Sequence, residues 1–204
     1  VKKIKPDEVY HLAAQARDGH SFNDEFYTFD VNLNFTHKIL SIVRKINKNA
    51  KFFFAGSSEM YSKNISKKID EKTHFNPKSA YGIAKVAGEE TLQVLAKLHG
   101  MEYNIAVPHN IVGPNQKYDD PYRNVVSIMI NRNLQGQPSI IYGDGEQTRC
   151  FSYIDDVIYC LEKLALDPKI YSEIINVGPD ESSCSINTLS SLVANSSGYN
   201  GKPI

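Results

Sequence analysis

Two neighbouring segments decide the fold: KFFFAG at residues 51–56 and SAYGIAKVAGEETLQVLAKL at residues 79–98. The first is a short apolar and aromatic run, which is typical of a strand buried inside a sheet. The second carries an apolar stripe that includes Ile83 and Leu92, begins at Ser79, a good helix N-cap, and ends before Gly100. A buried strand followed by an amphipathic helix predicts an α/β protein.

The same alternation continues on both sides of these segments. Residues 8–14 (EVYHLAA) and 104–108 (NIAVP) predict two more strands, and residues 26–43 predict an amphipathic helix. Strands that alternate with helices across short connections predict a doubly wound parallel sheet with helices on both faces.

After residue 115 the predicted elements become shorter. They are a helix over 124–134, short strands over 139–142 and 149–153, a helix over 155–166, a strand over 174–177 and a helix over 186–194. We therefore predict two domains, residues 1–115 and residues 116–204, the second being mainly a small α/β lobe with segments that return to the core. Gly143, Asp144 and Gly145 begin like a dinucleotide-binding fingerprint but lack its third glycine, which predicts a turn between two short strands.

Composition disfavours several classes of function. The 204 residues carry 23 Lys plus Arg and 23 Asp plus Glu, whereas a nucleic-acid binder needs a basic surplus. Apolar runs fall far short of the roughly 20 residues of a membrane-spanning helix. The six histidines show no paired ligand spacing, so no metal site is predicted. Three scattered cysteines are too few for a disulfide framework, and we expect a cytoplasmic protein.

Tyr81 and Lys85 are the first candidates for chemistry. They are four residues apart on the predicted helix and therefore project from one face. A cation near a phenol favours the phenolate, so we expect Lys85 to lower the pKa of Tyr81 and make it an acid or base near neutral pH. A surface aromatic and a lysine at chance spacing are the alternative, which the pentapeptide alone does not exclude.

Ser57 strengthens the catalytic interpretation. It follows the predicted strand directly, and ligands of parallel α/β sheets bind beyond the carboxyl ends of strands. The next helix can bring Tyr81 beside it. A serine hydroxyl, a tyrosine phenol and a lysine together suit proton removal from a sugar hydroxyl coupled to hydride transfer onto a nicotinamide. The alternative for Ser57 is a turn or a helix cap after the strand.

Six segments of the chain follow one another in the order of a known family's motifs. They are YHLAAQ (10–15), NLNFT (32–36), GSSEMY (56–61), SAYGIAKVAGE (79–89), NIVGP (110–114) and YGDGEQTRCFSY (142–153). This order resembles the extended short-chain dehydrogenase/reductase family, and within it the nucleotide-sugar epimerases and dehydratases. The resemblance implies a Rossmann-like fold for residues 1–115, a substrate-binding lobe for residues 116–204, NAD or NADP as cofactor and a nucleotide-diphosphate sugar as substrate.

The resemblance also implies roles for individual residues. The catalytic residues would be Ser57, Glu59, Tyr81 and Lys85. The cofactor would contact Ala13, Ala14, Gln15, Asn32, Ala55 and Pro108 as well as Tyr81 and Lys85. The substrate would contact Ser57, Ser58, Asn110, Tyr142 and Arg149; a planar guanidinium such as that of Arg149 can hold a phosphate through two hydrogen bonds. A homodimer through the helices at 26–43 and 79–98 is implied in the same way.

The chain also departs from the family pattern. Phe35 and Ser62 stand where glycine is usual, Val107 where arginine is common, and Cys150 where aspartate follows the arginine. These positions leave the subfamily open. The strand, Gly-rich turn and helix that open the family's cofactor domain do not precede the first residue, so we expect a partial chain that lacks roughly 60 residues upstream, lacks part of the lobe downstream, and binds cofactor weakly alone.

Glu59 bears on the choice of reaction. In the family's dehydratases and decarboxylases a Ser/Thr-x-Glu triplet, here residues 57–59, helps to remove the proton beside the new ketone. The rest of the chain resembles the epimerase group more closely, so we predict an NAD(P)-dependent nucleotide-sugar epimerase that oxidises the sugar C4 hydroxyl to a transient ketone. A 4,6-dehydratase of the GDP-mannose type or a related decarboxylase is one alternative. An inactive or binding-only relic of the fold is another.

Overall fold

The computed structural model describes residues 3–61, 68–120, 124–180 and 183–204. Ser62, one of the departures from the family pattern, lies outside these residues. The chain forms two compact units, one made of Val1–Pro108 and Ile158–Val177 and the other of His109–Val157 and Gly178–Ile204. The first unit thus ends before residue 115 and includes a later segment, while the division into a cofactor domain and a substrate lobe stays a prediction.

The helices and most of the strands occur in the predicted order. The strands are β1 (Glu8–His11), β2 (Lys51–Ala55), β3 (Tyr103–Pro108), β4 (Ile111–Val112), β5 (Thr148–Cys150), β6 (Ser152–Tyr153), β7 (Glu173–Val177) and β8 (Ser183–Ser185). The α-helices are α1 (Glu25–Phe29), α2 (Phe35–Ile46), α3 (Ala80–His99), α4 (Val125–Leu134), α5 (Ile154–Leu166) and α6 (Ile186–Ser197). Within the described ranges, every helix is too short or too polar to cross a membrane.

The first unit is built on a parallel sheet with the strand order β1-β2-β3-β7. Phe53 of β2 lies opposite Tyr10 of β1 and Asn104 of β3, and all three strand pairs run parallel. The predicted parallel α/β sheet is therefore confirmed. Because parallel strands run the same way, the carboxyl ends of β1, β2 and β3 lie along one edge of the sheet, which is where Ser57 follows β2.

Packing of α2 and α3 against the central strands forms the core of the first unit. Its buried members include Leu40, Val43, Phe52, Phe54, Leu92, Ala96, Ile105 and Val107. Both predicted ends of α3 are confirmed: the Ser79 hydroxyl accepts the backbone N–H of Gly82 at 3.1 Å, and Gly100 follows the helix with φ 63°. These caps and the core contacts fix α3 against the sheet.

The helix predicted over residues 26–43 is interrupted. A π-helical turn at Asp30–Asn34 separates α1 from α2. The Thr36 hydroxyl donates to the backbone oxygen of Asn32 at 2.7 Å, and Asn32 is almost completely buried. A π-turn adds one residue to a helical turn and leaves the flanking helices intact, so apolar spacing does not reveal it.

The second unit has its own small core between α4 and α6, made of Met129, Ile186, Leu189 and Val193. In it β4 pairs with β6 in parallel, and β5 pairs with β8 antiparallel. The strand predicted over 139–142 is wrong: among the described residues this segment forms two backbone hydrogen bonds, both to Ile204, too few for a ladder. The predicted glycine turn is confirmed, with φ 79° and 74° at residues 143 and 145.

Candidate active site

Ser57 lies directly beyond β2, where it starts a short 3₁₀ turn at Ser58–Met60. Its hydroxyl oxygen accepts the backbone N–H of Glu59 at 3.3 Å, so the serine does cap a turn, as the alternative interpretation expected. The same hydroxyl lies close enough to the phenol of Tyr81 to lower its pKa. Ser57 therefore joins the end of the strand to the helix that carries the tyrosine.

Gly82 allows Tyr81 to come this close to Ser57. A Cβ atom at Gly82 would lie 2.5 Å from the backbone oxygen of Glu59 and 3.0 Å from the Cβ of Pro77, distances that a packed side chain does not tolerate. The first turn of α3 therefore packs directly on the turn after β2. We did not single out Gly82 from the sequence, although a glycine inside a helical pattern is a signal of close packing.

The phenol of Tyr81 is buried, and burial raises its pKa above the ordinary value of 10.0. The nearby Ser57 hydroxyl lowers the pKa by less, and the charges of Glu59 and Asp18 raise it further. The expectation that Lys85 lowers the pKa of Tyr81 is therefore wrong for this structure. The Lys85 ammonium lies 5.9 Å from the centroid of the tyrosine ring and forms its hydrogen bond elsewhere.

Lys85 is buried one turn after Tyr81, with 3% of its surface exposed. Its ammonium donates to the backbone oxygen of Ala55 at 2.8 Å and lies 5.0 Å from the ring centroid of Phe54. Burial lowers the pKa of this ammonium to about 8, so it is mostly charged at neutral pH. An ammonium has three N–H donors, and one of them has an acceptor within the described part of the chain. The other two can serve a ligand rich in hydroxyl groups.

Asn32 fastens the segment that follows β1. Its side-chain oxygen accepts the backbone N–H of Gln15 at 2.8 Å, and its side-chain nitrogen donates to the Gln15 backbone oxygen at 3.0 Å. The Gln15 side chain donates in turn to Thr28 at 3.0 Å. These buried bonds hold the residues beyond β1 against α1 and the π-turn.

The other residues predicted at the cofactor lie along the same edge of the sheet. Ala13 and Ala14 follow β1, Ala55 ends β2, and Pro108 ends β3. This arrangement suits a ligand that crosses the carboxyl ends of the strands. Contact between these residues and a cofactor stays a prediction.

Three of the residues predicted to contact the substrate belong to the second unit. The Asn110 side chain donates to the backbone oxygen of Cys150 at 2.9 Å, which ties it to β5. Arg149 lies in the middle of β5, opposite Cys184 of β8, and is half-buried. Tyr142, just before the glycine turn, is 77% exposed. Their substrate contacts stay predictions.

Two buried titratable groups of the first unit were not singled out as candidates. Glu89, one turn after Lys85, is fully buried, and burial raises the pKa of its carboxyl to about 7. His11, which ends β1, contacts the Thr36 hydroxyl at 2.8 Å; burial first and the charge of Lys85 second lower its pKa to about 4. A glutamate one helical turn after a buried lysine was the available signal for the first. The sequence holds no comparable signal for His11.

A profile of the "NAD dependent epimerase/dehydratase family" matches residues 1–178. The chain belongs to the NAD-dependent epimerase/dehydratase family. The resemblance inferred from the six ordered segments is thereby confirmed, and with it the Rossmann-like fold.

Individual members of the family are similar to this chain in sequence and in structure. A putative UDP-glucose 4-epimerase of Methanocaldococcus jannaschii is 34% identical over 198 residues, which is 96% of this chain and 63% of that protein. A UDP-N-acetyl-alpha-D-glucosaminuronate decarboxylase of Bacillus cytotoxicus is 35% identical over 180 residues, 86% of this chain and 54% of that protein. The crystal structure of UDP-glucose 4-epimerase with UDP-glucose from Thermotoga maritima superimposes with a TM-score of 0.92 at 30% identity, covering 100% of this chain and 66% of that one. The chain thus spans 54% to 63% of the two relatives' lengths.

NAD is the cofactor of this family, and the residues of the site fit its nicotinamide end. The fit rests on Lys85, a buried cation with two N–H donors open to a ligand, because a ribose offers adjacent hydroxyl groups as acceptors. The Ser57 hydroxyl and Tyr81 phenol lie at the same strand end. Lys85, Tyr81 and the strand ends at Ala55 and Pro108 are therefore the residues that would hold this part of the cofactor.

Proposed function

We propose that this chain carries the catalytic residues of an NAD-dependent nucleotide-sugar 4-epimerase. The observation that supports this most is the placement of the Ser57 hydroxyl beside the Tyr81 phenol, with the buried Lys85 one helical turn away. All three groups lie at the carboxyl ends of the sheet, where α/β proteins bind their ligands. Their retention speaks against an inactive relic of the fold.

In the proposed reaction the C4 hydroxyl of the sugar binds between Ser57 and Tyr81. The Ser57 hydroxyl orients the C4 oxygen, and the phenolate oxygen of Tyr81 accepts its proton. Lys85, with two N–H donors open to a ligand, would hold the hydroxyl groups of the cofactor ribose beside Tyr81. NAD, when bound, supplies the hydride acceptor. Return of the proton from Tyr81 to the ketone oxygen completes epimerisation when the hydride returns to the opposite face of C4.

A UDP-sugar is the substrate that we propose, because the relatives compared above act on UDP-linked sugars by name. In this proposal Ser57 and Ser58 contact the sugar, and Asn110, Tyr142 and Arg149 contact the nucleotide diphosphate. The guanidinium of Arg149 is the group with the chemistry to hold a phosphate in two hydrogen bonds.

A second reaction has support from Glu59. Its carboxylate belongs to the turn that Ser57 caps, and its charge acts on the phenol of Tyr81. A carboxylate in this turn can remove the C5 proton of the 4-ketone, and departure of the C6 hydroxyl as water would then complete a dehydration. In a decarboxylase the C6 carboxylate, which lies beta to the ketone, would leave as carbon dioxide when the C5–C6 bond breaks, with no C5 proton removed. The decarboxylase among the relatives is consistent with this alternative.

Product mass distinguishes these reactions. The complete protein is incubated with NAD and, separately, with UDP-glucose, UDP-glucuronic acid and GDP-mannose. A new stereoisomer of unchanged mass supports the epimerase, whereas loss of water or of carbon dioxide supports the alternative. No conversion of any donor contradicts both.

We further propose that the complete protein is a cytoplasmic homodimer. Exposed apolar side chains on α1 and α3 support an interface: Phe26 is 83% exposed, Val94 65% and Leu98 69%. The three free cysteines are compatible with a reducing compartment. Sedimentation equilibrium tests the assembly: we expect twice the chain mass, and Phe26→Asp should give the monomer mass.

A further inference from the structure

The start of α6 is fastened to the turn that precedes β5. The side-chain nitrogen of Asn187 donates to the backbone oxygen of Asp144 at 2.9 Å and to the Glu146 carboxylate at 2.7 Å. The backbone N–H of Asn187 donates to the Gly145 oxygen at 3.1 Å. The first N–H groups of a helix have no acceptor inside the helix. The turn therefore provides a hydrogen-bond acceptor for the backbone N–H of Asn187, which has none within α6.

The turn is shaped to accept this asparagine. Gly145 is buried and has φ 74°, and a Cβ atom there would overlap the Asn187 amide group. The Asp144 carboxylate accepts the backbone N–H of Glu146 at 3.0 Å. The backbone N–H of Ile186 also donates to the Gln147 oxygen at 3.1 Å. These bonds stabilise residues 143–147 in the observed conformation.

The fastened turn separates the two side chains that the proposed function assigns to the nucleotide diphosphate. Tyr142 comes directly before it, and Arg149 lies in β5, two residues after its end. On the other side of β5, β8 leads directly into α6. Hydrogen bonds therefore link the turn, β5 and the start of α6 to one another. These links fix the backbone positions of Tyr142 and Arg149.

We propose that Asn187 is a positioning residue for the nucleotide-diphosphate sugar. It holds the turn at 143–147 in one conformation and so presents Tyr142 and Arg149 in a fixed geometry before the ligand binds. This inference rests on the proposed function for those two residues. A preorganised segment binds more tightly because the entropy of ordering it is already lost. Asn187 therefore affects ligand affinity and leaves the proton chemistry at Tyr81 unchanged.

The test compares Asn187→Ala with Asn195→Ala in the complete protein. Asn195 lies exposed on the same helix, far from the turn, and is the matched control. We expect Asn187→Ala to raise the Kd of UDP in calorimetry and the KM of UDP-glucose about tenfold, with kcat unchanged within about twofold. Asn195→Ala should leave all three values unchanged.

Asn187→Asp sharpens the test because it keeps the size of the side chain. Its carboxylate would face the Asp144 oxygen and the Glu146 carboxylate without a donor, so we expect a larger rise in Kd than for Asn187→Ala. Adding Glu146→Gln supplies an amide donor and should recover part of the affinity. A merely structural role predicts a lower Tm for these variants without the split between KM and kcat.

The outcomes separate this inference from the proposed function. If Asn187→Ala speeds amide exchange in the turn but leaves the Kd of UDP unchanged, the positioning role is overturned; wild-type protein that binds no UDP overturns it as well. Wild-type protein that binds UDP with the expected dependence on Asn187 but converts no nucleotide sugar contradicts the proposed function and supports the positioning role.

Discussion

The side chains proposed for catalysis are all buried, whereas those proposed for nucleotide binding range from the half-buried Arg149 to the exposed Tyr142. Ser57, Tyr81 and Lys85 have at most 9% of their surface exposed, whereas Tyr142 is 77% exposed. Burial raises the pKa of Tyr81 and lowers that of Lys85. Proton transfer near neutral pH needs groups whose ionisation the protein interior controls. Binding a soluble nucleotide needs side chains that water and ligand can both reach.

The two regions are also held in place differently. Close packing positions the catalytic side chains, as Gly82 against the turn after β2 illustrates. Hydrogen bonds to the backbone position the exposed turn through Asn187. Changes of volume should therefore damage the catalytic region most, and loss of hydrogen bonds should damage the binding region most.

The largest effect is expected for Tyr81→Phe, which removes the phenolic oxygen and retains the ring. Loss of a general acid–base group lowers kcat by about 10²- to 10⁴-fold. Steady-state turnover of UDP-glucose measures it, with UDP affinity as the control that should not change. Turnover within a factor of two of the wild type would remove Tyr81 from the proposed chemistry.

Gly82→Ala should be the most damaging small substitution on α3. The new methyl group would meet the backbone oxygen of Glu59 at 2.5 Å, and a backbone atom cannot move aside as a side-chain tip can. We expect a loss of about 3 kcal/mol in the free energy of unfolding and a lower kcat. Gly88→Ala is the matched control, since its methyl group would meet the tip of Phe54 at 3.1 Å. Urea denaturation measures the free energy of unfolding of both variants. Equal losses would contradict the expected difference between a clash with the backbone and a clash with a side chain.

Glu89→Gln should stabilise the protein at alkaline pH. Burial raises the pKa of Glu89 from 4.5 to about 7, so the folded state holds this proton more tightly than the unfolded state. That stability is present below pH 4.5 and is lost as the pH rises to about 7. At pH 8 the free energy of unfolding of the variant should exceed that of the wild type by about 2 kcal/mol. Each unit of pKa difference between the folded and unfolded states is worth about 1.4 kcal/mol, and solvent screening reduces the total.

Denaturation at pH 5 and pH 8 measures this effect. At pH 5 the two proteins should differ little, because Glu89 is protonated in the folded wild type. A constant difference at both values would show that the carboxyl does not titrate in this range.

Arg149→Lys should have the smallest effect of these substitutions, and it should weaken substrate binding without slowing the chemical step. Lysine keeps the positive charge but loses the planar pair of donors that a phosphate accepts. We expect the KM of UDP-glucose to rise about tenfold while kcat changes little. A matching fall in kcat would mean that Arg149 takes part in the chemical step.

Much of the architecture could be predicted because local signals agree with the fold. The aromatic run before Ser57 indicated a buried strand, and Ser79 and Gly100 marked the ends of α3. Since ligands bind at the carboxyl ends of parallel strands, the predicted topology was enough to expect Tyr81 beside Ser57. Six ordered segments then pointed to the family, which the profile match confirms.

Other features depend on packing that spacing does not encode. Ile83 belongs to the predicted apolar stripe of α3 yet is 46% exposed, while Lys85 and Glu89 lie buried on the opposite side. For the same reason the sign of the Tyr81 pKa shift was wrong: burial outweighs a lysine whose hydrogen bond goes to Ala55. The role of Asn187 depends on a turn 43 residues away in the chain, a contact that periodicity cannot show.

Transfer of hydride at C4, with Tyr81 handling the proton, is the central claim. Its most direct test uses UDP-glucose that carries deuterium on C4, incubated with the complete protein and NAD in ordinary water. We predict that C4 inverts while the deuterium stays on C4, as NMR of the product would show, and that Tyr81→Phe abolishes the inversion. Inversion with replacement of the deuterium by solvent hydrogen would contradict hydride transfer and, with it, the proposed function.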